Sequence, residues 1–92
     1  MTAVREPQPT WGPAQGYQWV IEPDPTWRLA TEDEARRYRC RGHVRCPNSP
    51  VAALDRGRDA VRWWFYCPKH MYGRWIEDGQ VAHWIARKAV TA

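Results

Sequence analysis

The chain lacks any long apolar run. None of its 92 residues lies in a stretch approaching the roughly 20 consecutive apolar positions that a helical membrane span requires. Phenylalanine occurs once and isoleucine three times, and a chain this short buries only a modest core. Cysteine occurs three times, an odd number that cannot close completely into disulfides. The opening Met1 to Pro9 is polar and proline-rich, unlike a secretory leader. These shortages lead us to expect a reducing cytoplasmic setting, no membrane association and one small domain that needs a staple other than disulfides.

Tryptophan is what the chain has in excess. Seven tryptophans stand against one phenylalanine, and Trp63-Trp64-Phe65-Tyr66 is an unbroken aromatic run. Large rings fill most of a small core, yet seven exceed what so small an interior holds, so one or two are expected on an interaction surface. Charge is unevenly spread. Residues 1–35 carry two arginines against six acids, whereas residues 36–75 carry nine arginines and one lysine against Asp55 and Asp59. That middle segment has a surplus of eight positive charges, almost all guanidinium, a group that grips phosphates and carboxylates and stacks on rings. A basic module of this kind points to a polyanionic partner, and equally to solubilising charge.

Residues 1–16, with Pro7, Gly12, Pro13 and Gly16, read as a flexible arm, and residues 17–92 as a single α+β domain. Trp11 in the arm either folds back on the domain or contacts a partner. Tyr17 to Ile21 reads as a strand stopped by Pro23 and Pro25, followed by an extended Trp27-Arg28-Leu29. Thr31-Glu32-Asp33-Glu34 matches a capping box and predicts a helix over residues 32–39. Val51 to Leu54 and Val61 to Tyr66 predict a β-hairpin around the turn Asp55 to Asp59. Pro68 then predicts a helix from Pro68 to Asp78 ended by Gly79, with Gly73 an unfavourable interior residue. Val81 to Ala86 alternates as a final strand, with His83 among apolar neighbours as a hydrogen-bonded boundary residue.

The four residues with most chemistry are Cys40, Cys46, Cys67 and His70, spaced Cys-x5-Cys-x20-Cys-x2-His. Two close pairs of soft donors separated by a hairpin length suit a tetrahedral structural Zn²⁺ site, and we expect one Zn²⁺ there. Gly42 offers a positive φ inside the first loop. His43, spaced Cys40-x2-His43, is an alternative fourth ligand that would leave Cys46 free; thiolate affinity and the link from Cys46-Pro47 into the hairpin favour Cys46.

The order Cys40-Arg-Gly-His-Val-Arg-Cys46, hairpin, Cys67-Pro-Lys-His70, helix resembles a treble-clef zinc finger over residues 40–79. It departs from that pattern in having five residues between the first two ligands. The segments Pro50-Val-Ala-Ala-Leu54 and Arg62 to Gly79 are also similar to small uncharacterised zinc-finger proteins of actinobacteria and their phages. That resemblance implies a setting and no activity.

Four ligands close the coordination sphere, so catalytic zinc is not expected. No Gly-rich phosphate loop, His-Asn-His pattern or nucleophile beside a base is present, and Glu77 and Asp78 have no histidine partner; no enzyme activity is expected. The composition favours nucleic acid, DNA or RNA, as partner, bound by Arg41, Arg45, Arg56 and Arg58 beside the ligands and at the hairpin tip. The alternative is a protein adapter, for instance one engaging a host protein, with zinc purely structural and tryptophan and arginine forming the contact surface. Oligomeric state is not legible.

Overall fold

The computed structural model describes residues 9–89. Among them lie two short helices, α1 (Trp11–Ala14) and α2 (Glu32–Arg37). Six strands follow the order β1 (Tyr17–Pro23), β2 (Trp27–Leu29), β3 (Ala52–Asp55), β4 (Trp63–Tyr66), β5 (Arg74–Glu77) and β6 (Gln80–Lys88). They form two antiparallel three-stranded sheets, ordered β1-β6-β5 and β2-β3-β4. The fold class is therefore small α+β. The part of the expected arm at residues 1–8 lies outside the described residues. Its remainder packs on the domain: Trp11 meets Trp19 edge-on with ring centroids 4.7 Å apart. Trp11 thus folds back while staying 51% exposed.

Alternation of side chains decides how the sheets are used. In the first sheet Ile76 pairs with Val81 and Arg74 with His83, which puts these four on one face. Trp75, Ala82, Trp84 and Trp19 occupy the opposite face and form one buried cluster. In the second sheet Trp27, Leu29, Ala52 and Tyr66 share the face that meets Ile76, Val81 and Met71, the second cluster. The three cysteines with Tyr66 make the third. No single cluster is large, so the fold depends on several small contacts plus polar ties.

One such tie joins the sheets. Asp24, 7% exposed, accepts from Thr26 N and Thr26 Oγ1 and from Arg74 Nε at 2.9 Å. Burial alone would raise the Asp24 carboxyl, but the Thr26 and Arg74 hydrogen bonds outweigh it and the net shift is downward. His83 takes the boundary position expected from the strand pattern, but its Nδ1, 3.5 Å from the same carboxylate, makes no hydrogen bond, contrary to that expectation.

Helix α2 begins as the capping box requires. Thr31 Oγ1 accepts from Glu34 N at 3.1 Å and Glu34 Oε1 accepts from Thr31 N at 2.9 Å. It ends two residues short of the expected 39. Tyr38 turns to extended backbone, φ −116° and ψ 156°, and lays its ring flat on Phe65, centroids 4.6 Å apart at 5°. A tertiary stack overrides a helical continuation there.

The larger correction concerns residues 68–78. The expected helix is a single 3₁₀ turn, Pro68–His70, followed by β5. Asp78 and Gly79 have φ of 49° and 78°, two successive left-handed residues that make a tight hairpin turn into β6. Gly73, at φ 74°, breaks the chain between the ligand turn and β5. The helix that would complete a treble clef is therefore absent among the described residues, and a hairpin takes its place.

Glu34 also accepts both Arg28 guanidinium nitrogens at 2.8 Å. The Arg28 hydrogen bonds, aided by Thr31, hold its carboxyl at about 2 against an ordinary 4.5. A depressed carboxylate contributes stability that is complete above its unfolded value and disappears as pH falls through the folded one. The difference in Tm between the parent and Glu34→Gln should therefore be greatest above pH 5 and shrink as pH falls toward about 2, in acid-series thermal melts. A constant difference across that range would contradict it. Thr31→Ala should cost about 1 kcal/mol through removal of the cap.

Candidate metal centre

The first ligand loop is the irregular stretch between α2 and β3. It is pinned along the outer edge of β4 by Arg41 N donating to Phe65 O at 2.7 Å, and folded on itself by Cys40 N to Asn48 O at 3.2 Å. Cys46 N donates to His43 O at 3.0 Å, a turn that swings Cys46 back toward Cys40. The second pair sits on the 3₁₀ turn, where His70 N donates to Cys67 O at 3.0 Å. Pro68 at its first position suits that turn, because it has no N–H to leave unsatisfied.

These two pieces bring Cys40, Cys46, Cys67 and His70 together, with their donor atoms all within 4.8 Å of one another. Cys40 Sγ and Cys67 Sγ lie 3.2 and 3.3 Å from His70 Nδ1, and Cys46 Sγ lies 3.9 Å from Cys67 Sγ. A tetrahedral site with metal–sulfur bonds of about 2.3 Å and a metal–nitrogen bond of about 2.0 Å has edges of about 3.8 Å between sulfurs and about 3.5 Å from sulfur to nitrogen. Those three separations match such edges to within a few tenths of an ångström, and the widest pair, within 4.8 Å, would draw in by about 1 Å around a bound ion. They exclude disulfides, which need sulfurs about 2.05 Å apart, and all three cysteines are free. The four residues can thus hold one metal ion, with His70 offering Nδ1.

The surroundings suit thiolates. Gly42 N donates to Cys40 Sγ at 3.3 Å, and Asn48 Nδ2 approaches Cys67 Sγ at 3.5 Å. Burial pushes the Cys40 thiol up, well above its ordinary value. Burial opposes ionisation at Cys67 too, but hydrogen bonds from Asn48, Cys40 and His70 prevail and draw that thiol down. The protein's own groups therefore favour ionisation at Cys67 and oppose it at Cys40, and a bound cation would supply charge that stabilises buried thiolates.

His43, the alternative fourth ligand, lies outside the cluster. It is exposed, and its Nδ1 accepts from Arg45 N at 3.2 Å. Gly42 is needed for a reason different from the one expected. It has no positive φ; a Cβ there would fall inside the van der Waals envelope of His70 Cβ and Cγ. Only glycine lets the first loop pass this close to the second ligand pair. The signal for this in the sequence is no more than a glycine between two ligands, and the partner across the gap is 28 residues away.

The four arginines expected at the surface are placed differently from one another. Arg41, Arg45, Arg56 and Arg58 are all exposed. Arg41 and Arg56 both lay their guanidiniums over Trp64, 4.4 and 4.3 Å from the ring centroid, and Arg56 also pairs with Asp59 at 3.0 Å. Arg28 and Arg62, which composition alone did not single out, treat Trp63 the same way at 4.2 and 5.0 Å. Half of the aromatic run thus serves as a rack for cations, each contact contributing about 0.5–1 kcal/mol where exposed.

Comparison with known proteins gives no relative: no protein-family model matches the chain, and no curated protein or solved structure proved similar to it.

Cys67→Ser should abolish stoichiometric metal binding, read as metal per chain by elemental analysis, and Gly42→Ala should weaken it by displacing His70. The second effect is read as chelator competition, with a fall in affinity of at least about tenfold expected. Retention of parental metal content by Cys67→Ser, or of parental affinity by Gly42→Ala, would contradict this ligand geometry.

Proposed function

We propose that the chain is a zinc-stabilised, non-catalytic binding module that contacts nucleic acid through arginines surrounding the metal loop. Zinc is the ion best matched to three thiolates and an imidazole in a tetrahedron. A complete set of four protein donors leaves no open position for water, which argues for a structural role. The module keeps the treble-clef order of parts through the second ligand pair and substitutes the β5–β6 hairpin for the closing helix. We read it as a variant of that class, of the kind found in small actinobacterial and phage zinc-finger proteins.

The observation that carries the nucleic-acid reading is how the positive charge is spent. Arg36 and Arg37 face Glu32 and Asp33 on α2, Arg56 faces Asp59, Arg62 faces Asp55 and Arg74 faces Asp24. Among the described residues, Arg39, Arg41, Arg45 and Arg58 have no carboxylate within 4.0 Å. Three of these four lie on the ligand loop or lead into it. Guanidiniums without a carboxylate partner, concentrated beside a rigid metal knuckle, supply the phosphate contacts on which sequence-independent affinity rests. Arg56, already paired and stacked, ranks below Arg41, Arg45 and Arg58.

A second reading, as a protein adapter, draws on one feature. Trp11, 51% exposed, and Tyr72, 92% exposed, flank a cleft that Trp19 and Trp84 also line. Tryptophan and tyrosine are favoured at interface hot spots, so a partner protein would use that side of the first sheet.

The test is a salt titration of binding to random-sequence DNA and RNA. The parent should show a steep fall of affinity with salt. The Arg41→Ala/Arg45→Ala/Arg58→Ala protein should keep its metal, lose no more than about 0.5–1 kcal/mol of stability from the Arg41–Trp64 contact, bind more weakly, and show a log–log slope shallower by about 0.7–0.9 for each phosphate left unneutralised. No binding by the parent at low salt would move the assignment to the adapter.

A further inference from the structure

The outer face of the second sheet carries a groove of about 470 Å³ whose floor is the Tyr38–Phe65 stack. Phe65 is buried and covers one face of Tyr38, while Tyr38 remains 47% exposed. Arg39, Arg41 and His43 line the sides, and no carboxylate does. Val44, 98% exposed, and Val61, 51% exposed, form apolar lips. A ring held rigid from beneath and open above, with Arg39 beside it and no acid in the lining, has the composition of a stacking platform with a phosphate grip.

Resting on the nucleic-acid reading above, we propose that this groove seats an unstacked base of single-stranded nucleic acid on the free face of Tyr38, with the adjoining phosphate on Arg39. Three observations favour single strands over duplex. A base can lie on an aromatic face only when it is out of its helical stack. The nearest helix, α2, is six residues long and opens with Glu32, Asp33 and Glu34, so it cannot enter a negatively charged groove. The tryptophans of the aromatic run are already occupied as platforms, since guanidiniums cover Trp63 and Trp64. Tyr38 is thus the ring on this side with a face to offer. Its place is set by the early end of α2 and by the bond from Arg41 N to Phe65 O, so the metal loop and the platform are positioned together.

The experiment measures binding of the zinc-loaded full chain to an oligo(dT) or oligo(U) of about 12 nucleotides, within the site sizes of single-strand binders, and to a duplex of equal length, at one salt concentration, by fluorescence anisotropy. The parent should prefer the single strand. Tyr38→Ala should lower single-strand affinity by about 5- to 150-fold, the range for removing one base–aromatic stack, with duplex affinity nearly unchanged. Tyr38→Phe should retain the preference. Val44→Glu, at a position too exposed to disturb folding, should weaken single-strand binding through its charge at the groove lip. Equal parental affinity for single strand and duplex would overturn the groove assignment while leaving the arginine reading intact. Unchanged single-strand binding by both Tyr38→Ala and Val44→Glu would do the same. Absence of binding to either polymer at low salt would overturn both.

Discussion

Convergence of four donor atoms on one point is the constraint from which the rest of this structure follows. Cys40 and Cys46 come from a stretch without helix or strand, and Cys67 and His70 from a single 3₁₀ turn. Three sulfurs lie buried and unbridged. Burying several ionisable thiols without a cation is unfavourable, because each buried thiolate is either desolvated or neutralised. A bound metal ion reverses that sign and can contribute about 10 kcal/mol or more to a small domain. In a chain whose buried apolar residues divide among three small clusters, that contribution outweighs any other single interaction.

Fixing the two ligand segments also fixes what surrounds them. The first loop lies along the open edge of β4, which carries Tyr38 over one face of the sheet and Arg41 over Trp64 on the other. The aromatic run at residues 63–66 is thereby shared out between packing and charge. Phe65 and Tyr66 pack inward or under Tyr38, while Trp63 and Trp64 hold guanidiniums. The arginines are therefore not a uniform coat of charge. Some are locked into ion pairs by α2 and the hairpin, and those on the metal loop are left facing outward.

Much of this is legible from residue order where the signals are local. The ligand spacing, the Thr31–Glu34 capping box, the β3–β4 hairpin and the alternation of β6 each depend on residues close in sequence. The stretch Pro68 to Gly79 misleads because Pro68 is a good helix opener and the following apolar residues are too few to display a period. The Asp78-Gly79 pair, a strong hairpin turn signal between Ile76 and Val81, is the better guide and outweighs the helix pattern. Long-range facts have no local signal. Gly42 packs against a ligand 28 residues away, Arg56 is absorbed by Trp64 and Asp59, and Tyr38 leaves its helix to stack on Phe65. The choice between Cys46 and His43 likewise depends on the geometry that places one in the cluster and the other on the surface.

The central claim is that one metal ion sits among three cysteine sulfurs and one histidine nitrogen. X-ray absorption at the metal edge of the purified protein tests it most directly, because the nearest-neighbour shell reports donor type, number and distance at once. Three sulfurs at about 2.3 Å and one nitrogen at about 2.0 Å are expected. A shell made mainly of oxygen and nitrogen, or one with two sulfurs and two imidazoles that replaced Cys46 by His43, would contradict it.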